Sequence, residues 1–194
     1  MGKIVISESV SLDGVMQNPT GDEGSRFAGW FDRLSSKDRE AWAKVEFEEA
    51  LSTEALLLGR RTYEWFVARG WASRSDEWAD RLRSLPKYVV SSTLADLDWT
   101  NSTVLEGDVV NEVSRLKQEV NGDIVVYGSG RLVPTLMEHD LVDELRLIIC
   151  PIAVGDGERL FGRTSDQKPM RLVDTRTVGD GLVRLTYQPT HRPF

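Results

Sequence analysis

Asp123-Ile124-Val125-Val126-Tyr127-Gly128-Ser129-Gly130-Arg131 is the stretch on which the fold turns. Its first five residues run apolar without alternation. That pattern predicts a short strand buried on both faces, as in a parallel sheet covered by helices. Gly128-Ser129-Gly130 then breaks the strand, and a helix is predicted from there to about residue 138. Glycines in such a turn let an anion approach backbone N–H groups at a helix start. The segment is not the dinucleotide fingerprint of a Rossmann unit. Val133 stands where the third glycine would fall, and the segment comes late in the chain.

Working outward, Val109, Val113, Leu116 and Val120 form a helical stripe closed by Asn121-Gly122. Tyr88-Val89-Val90-Ser91 reads as a strand, preceded by a helix over 76–85 that carries Trp78, Leu82 and Leu85 and stops at Pro86. Leu56-Leu57-Leu58 reads as a buried strand ending at Gly59, with a helix from Thr62. Residues 38–51 read as a helix with Ala43, Phe47, Ala50 and Leu51 on one face. The opening segment, 3–12, alternates: Ile4, Ile6, Val10 and Leu12 share a parity with Glu8, and Val5, Ser7, Ser9 and Ser11 share the other. It predicts a strand with an unusually polar second half, broken by Asp13-Gly14. On the other side, a long strand is expected over 145–154. A hairpin follows, 170–178 and 182–188, joined across Gly179-Asp180-Gly181. The expectation is one α/β domain over residues 1–194, a mostly parallel twisted sheet flanked by helices with a C-terminal antiparallel hairpin.

Lys plus Arg number 24 against 31 Asp plus Glu, a net charge of −7, so no cationic surface for nucleic acid is expected. No run of about 18 apolar residues occurs, so no membrane span is expected. Glu8 and Asp13 interrupt any signal-peptide hydrophobic region, and the lone Cys150 suits a reducing compartment; the expected location is the cytoplasm.

Three segments follow predicted strands, where open α/β sheets bind ligands. Gly59-Arg60-Arg61-Thr62 offers two guanidinium forks and a hydroxyl at a helix start, suited to phosphate or to a solvated basic turn. Ser91-Ser92-Thr93 offers small hydroxyls that donate to phosphate or cap a turn. Gly128-Ser129-Gly130-Arg131 is the third. Together they say more than each does alone.

In this order the three segments resemble the dihydrofolate reductase fold. Ser11-Leu12-Asp13-Gly14, Glu144-Leu145-Arg146-Leu147, Gly155-Asp156-Gly157 and Leu160-Phe161-Gly162 are similar to one branch of it, the reductase domain of the riboflavin-biosynthesis deaminase-reductase. The resemblance implies NADP(H) as cofactor. Arg60, Arg61, Ser91 and Ser92 would surround the adenosine 2′-phosphate. Gly59, Thr62, Gly128, Ser129, Gly130 and Arg131 would hold the rest of the phosphates. Residues 9–14 would line the nicotinamide and substrate pocket, and 17–24 would form a lid. It also implies a homodimer and a small-molecule substrate.

Folate reductases place a carboxylate a few residues before a Trp-Phe pair. Here Trp30-Phe31 is preceded by Phe27, Ala28 and Gly29. Dihydrofolate is therefore expected to be a poor substrate unless Asp13 or Glu8 supplies the acid. Two histidines and one cysteine cannot build the zinc site of a deaminase, and no metal is expected. Tyr127, then Asp13, then water are the candidate proton donors. Glu8 is either paired with an arginine or faces the pocket as a buried acid. The reading is an NADPH-dependent reductase of a pterin- or pyrimidine-like heterocycle. The alternatives are 5-amino-6-(5-phosphoribosylamino)uracil reductase of riboflavin biosynthesis and a dinucleotide-binding sensor without turnover.

Overall fold

A computed structural model describes residues 1–17, 19–21, 27–162 and 166–190. Of the expected lid over 17–24, residues 18 and 22–24 lie outside them. Eight strands form one sheet in the order β4-β3-β2-β5-β1-β6-β8-β7. They are β1 (Lys3–Ser11), β2 (Thr53–Gly59), β3 (Lys87–Val90), β4 (Ser102–Leu105), β5 (Asp123–Tyr127), β6 (Val142–Cys150), β7 (Met170–Val178) and β8 (Leu182–Pro189). Pairing is parallel from β4 through β6, then antiparallel to β8 and β7. The mostly parallel sheet with its terminal hairpin is the architecture the sequence predicts. The strand β4 was not anticipated, because Ser102-Thr103-Val104-Leu105 is short and half polar.

The helices are α1 (Ser36–Ser52), α2 (Arg60–Ala68), α3 (Glu77–Ser84), α4 (Val109–Glu119) and α5 (Leu132–Glu138). Ile4, Ile6, Leu57, Ile124 and Val126 pack on one side of the sheet against Val113 and Leu116 of α4 and Leu136 of α5. Val5, Leu56, Leu58 and Val125 pack on the other against Tyr63 and Phe66 of α2 and Ala79 and Leu82 of α3. Thus β1 is buried on both faces over Ile4–Ser7, and its apparent alternation does not mark an exposed face. Helix-to-sheet burial of this kind stabilises by roughly 25 cal/mol per Å² of apolar surface.

Two expectations need correction. The long strand ends at Cys150, because Pro151 follows and the chain turns there, with Ile152 N–H donating to the Cys150 carbonyl (2.7 Å) and its own carbonyl accepting from Leu12 N–H (2.8 Å). And α1 does not bury the face of Phe47 and Leu51. Leu51 is exposed, whereas Asp38, Val45, Glu46, Glu49 and Ala50 are buried.

That choice of face follows from charge pairing. Arg146 of β6 lies under α1 with its side chain 15% exposed. It donates to Glu49 Oε2 (3.1 Å), Asp123 Oδ2 (2.7 Å) and Glu144 Oε1 (2.6 Å), while Arg184 of β8 adds 2.8 Å to the same Glu49 oxygen. One guanidinium therefore ties α1, β5 and β6 together. At the start of α1, Ser35 caps the helix and Asp38 accepts the backbone N–H groups of Asp180 and Gly181, pinning the hairpin turn. Arg146→Ala leaves Asp123 and Glu144 without their cation and Glu49 with Arg184 alone. It is expected to cost about 3–5 kcal/mol, read as a lower urea midpoint at unchanged slope. A loss under about 1 kcal/mol would mean the network behaves as surface pairs do.

Candidate functional site

A cavity of about 790 Å³ opens along the carboxyl ends of β1, β2 and β5 and beneath α1, α2 and α3. That volume is in the range of small-molecule and cofactor sites. It is lined by Gly59, Arg60, Arg61 and Thr62 on one side and Gly128, Ser129, Gly130 and Arg131 beside them. So the two segments, 66 or more residues apart in the chain, meet because β2 and β5 are neighbours in the sheet.

The two turns are joined by hydrogen bonds. Ser129 N–H donates to Thr62 Oγ1 (2.8 Å), and Ser129 Oγ accepts from Gly59 N–H (2.9 Å) while donating to the Tyr127 carbonyl (2.9 Å). The Thr62 and Ser129 hydroxyls thus clasp the two turns to each other. Gly128 has φ +55°, and a Cβ there would stand 3.1 Å from Thr62 Oγ1 and 3.2 Å from its Cγ2. Gly130 is roomier: its nearest atoms are the flexible ends of Met16 and Glu158 at 3.5–3.7 Å. Among the described residues no group accepts from the N–H of Gly130 or Arg131. The first turn of α2 likewise leaves its N–H groups without intrahelical partners, and its cap Gly59 offers no side chain.

Arg60 is tied to Glu64 at 3.1 Å on the helix surface. Arg61 is exposed and pairs with no described residue. Ser91 and Ser92 follow β3, whose Val90 is the register partner of Gly59. They stand next to the cavity but do not line it, and Ser91 Oγ accepts from Thr93 and Leu94 N–H (3.1 and 2.9 Å) as a turn cap.

Asp13 lies away from the cavity. Its carboxylate accepts from Val154 N–H (2.9 Å), Ser11 Oγ (2.7 Å) and Gly155 N–H (2.8 Å), and these bonds hold it far below the usual carboxylate range. An acid held ionised in this way clamps the loop after β6 onto the end of β1. It does not fit the proton-donor role expected for it.

The other acids do line the cavity. Glu8 of β1 enters it from the floor, with Oε2 sealed from solvent and without a hydrogen-bond partner. Burial pushes its carboxyl up to about 8, although the backbone amides of Gly128 and Ser9 pull the other way. Glu46 of α1 faces the same space and is 8% exposed. Burial, then the nearby Glu49 and Glu8 carboxyls, raise it well above the usual range. Tyr127 also lines the floor. Its hydroxyl is buried near Glu49, and burial, then Glu49 and Glu46, keep it neutral. Sequence reasoning found Glu8 by its parity in an apolar strand. It missed Glu46, for which Trp42, Glu46 and Glu49 at i, i+4 and i+7 were the available signal. Cys150 is buried, and desolvation pushes its thiol up to about 12, so it is a packing residue.

Aromatic rings complete the walls. Phe31 meets Trp42 edge-on at 4.8 Å, Trp42 meets Trp78 at 5.8 Å, and Trp78 meets Trp71 at 5.1 Å. Trp42 Nε1 donates to Ser9 Oγ (2.9 Å), fixing the ring over the polar end of β1. Among the described residues no group of His, Cys, Asp and Glu is placed to hold a metal ion, and no helix is long and apolar enough to cross a membrane.

The family model of the RibD C-terminal domain matches residues 2–184. The uncharacterized protein YyaP of Bacillus subtilis (strain 168) is 27% identical over 190 residues, covering 95% of this chain and 94% of that one. A riboflavin biosynthesis-type protein from Shewanella sp. PV-4 superposes with a TM-score of 0.72 at 18% identity, over 97% and 99% of the two chains. Dihydrofolate reductase from Enterococcus faecalis, in a structure complexed with NADP(H), superposes with a TM-score of 0.62 at 15% identity over 96% of each chain.

The raised carboxyl predicts a pH effect. Between its ordinary 4.5 and about 8, folded Glu8 keeps a proton that the unfolded chain has released. Stability therefore falls as pH rises through that window. Glu8→Gln, a neutral isostere, should flatten the fall and raise the melting temperature more at pH 8 than at pH 5. An equal shift at both pH values would show that Glu8 titrates normally.

Proposed function

The chain belongs to the RibD C-terminal domain family, and on that premise we propose that it is an NADPH-dependent reductase acting on a small, flat heterocycle of pterin or pyrimidine kind. The observation that carries the reading is the junction of Gly59–Thr62 with Gly128–Arg131 above a floor of protonatable groups.

The donor set fits the cofactor. Gly128 leaves a bare backbone at the junction, and the free N–H groups of Gly130, Arg131 and the first turn of α2 are suited to pyrophosphate oxygens. Arg61, paired with no described residue, and Arg60, held by Glu64, are suited to a 2′-phosphate, with Ser91 and Ser92 beside them. When bound, the cofactor supplies the hydride. The chain's own residues orient the acceptor and hold a proton for it. Glu8 carries that proton at neutral pH and reaches the cavity, whereas Asp13 carries none. Tyr127 is the second proton-bearing group on the floor. Family membership favours a second reading, 5-amino-6-(5-phosphoribosylamino)uracil reductase. A cytoplasmic setting, where Cys150 stays reduced, suits either.

The proposed assembly is a homodimer. The edge strand β7 is exposed along most of its length, and Leu172, Val173 and Val183 show apolar surface on the terminal hairpin. Edges of this kind call for cover, and a second copy supplies it. Val173→Glu should shift the sedimentation of a dimer to that of a monomer. A wild type that sediments as a monomer removes the idea.

Titration should show NADPH binding more tightly than NADH. Losing a charged hydrogen bond costs roughly 1.5–3 kcal/mol, so Arg61→Ala should weaken NADPH about ten- to a hundredfold and leave NADH nearly unchanged. Equal losses for both cofactors would defeat the phosphate assignment. NADPH oxidation against a panel of pterins and pyrimidines tests turnover.

A further inference from the structure

A second opening, a polar cleft of about 360 Å³, lies between the C-terminal end of α1 and strands β6, β8 and β7. Arg146 of β6, Arg184 and Thr186 of β8 and Arg176 of β7 line it. Arg146 is committed to Glu49, Asp123 and Glu144. Arg184 donates once, from Nη2 to Glu49 (2.8 Å), and its Nε and Nη1 have no acceptor among the described residues. Arg176 has no acceptor among them at all, nor has the Thr186 hydroxyl. In the hairpin register Arg176 stands directly opposite Arg184. Like charges opposed in this way weaken a strand pair, and packing does not ask for this one, because Arg176 is exposed on the edge strand. The negative end of α1 does not need it either, since Arg81 already donates to the carbonyls of Ala50 (3.0 Å), Leu51 (3.4 Å) and Thr53 (2.7 Å). Two acids line the cleft. Glu49 is held by Arg146 and Arg184, and Glu48 is exposed and pairs with no described residue, Arg176 included. Asp174 faces Thr186 in register but lies outside the cleft.

We propose that this cleft is an anion site separate from the cavity, in which the guanidinium groups of Arg176 and Arg184 bridge one phosphate group and Thr186 donates to it. Two opposed forks present more N–H donors than a carboxylate has oxygens to receive, whereas a phosphate spans both. A bridging dianion also turns the opposed arginines from a repulsion into a pair of contacts. The cleft lies at the small end of the range for ligand sites, so its occupant is free phosphate or a small phosphate ester and not a dinucleotide. Glu48 opposes the anion and sets a limit on its affinity. Glu49 lines this cleft, and the Tyr127 hydroxyl on the cavity floor lies beside the same residue, so one buried side chain separates the two openings. The site stands on its own residues and does not require the reductase reading.

The test is calorimetry of inorganic phosphate in a buffer free of other oxyanions, with glycerol 3-phosphate and acetate titrated in parallel. The wild type should bind phosphate more tightly than acetate. Binding of the ester as well identifies a phosphorylated small molecule as the occupant, and its exclusion identifies free phosphate; either supports the site. Arg176→Gln should weaken phosphate about tenfold or more, and Glu48→Gln, which removes the opposing charge, should tighten it. Both positions are exposed, so both variants are expected to fold, with circular dichroism as the control. Arg61→Ala, a change in the cavity, should leave this binding in place. Absence of phosphate binding in the wild type, equal binding of acetate, unchanged affinity in folded Arg176→Gln, or unchanged or weaker affinity in Glu48→Gln would each overturn the proposal. Binding lost in Arg61→Ala but kept in Arg176→Gln would place the anion in the cavity and overturn it too, while leaving the cofactor reading intact.

Discussion

A strand held on both sides by parallel neighbours has nowhere to hide a polar group, and β1 is such a strand. It lies between β5 and β6, with Ile4, Val5 and Ile6 wholly buried. Its polar half, Ser7 to Ser11, must then end where the layers part. That is at the carboxyl end of the sheet, and the cavity is the result. Ser9 is satisfied by Trp42, Ser11 by Val15 N–H and Asp13, and Glu8 is left facing the open space. The site is therefore a consequence of where the central strand runs out of apolar residues.

Charge decides which way α1 lies on this frame. Its apolar residues are spread around the helix, so burial alone does not choose a face. Arg146 and Arg184 choose it by drawing in Glu49. The same rotation brings Glu46, three residues earlier, to the cavity, and Trp42 one turn before that. A structural ion network and a candidate binding group are thus set by one helix orientation. Glu49 is compensated and belongs to the frame. Glu46 makes no ion pair with a described residue and lines the cavity.

The clasp between Thr62 and Ser129 shows a similar division. Thr62 was expected to meet phosphate with its hydroxyl, and the 128–131 turn with its backbone N–H groups. In the structure the hydroxyls are spent on joining the turns, and what faces the cavity is backbone N–H and the guanidinium of Arg61.

Residues alone determined the order of the elements apart from β4, because unbroken apolar runs such as Asp123–Tyr127 and the stops at Pro86 and Gly122 depend on local chemistry. They also determined the three strand-end segments, since glycine, arginine and small hydroxyls after a strand have few other uses in combination. Glu8 was legible as a carboxyl out of place in an apolar parity. What the tertiary structure decided was everything that depends on neighbours far along the chain. The fold put Asp13 against the 154–155 amides, 141 residues away, and so made it a clamp. It turned the buried face of α1 toward Arg146, 97 residues from Glu49, and so made Glu46 part of the cavity. Helical periodicity reports which residues share a face, but whether a face of carboxyls is buried depends on the cations it meets, and those are placed only when the sheet is assembled.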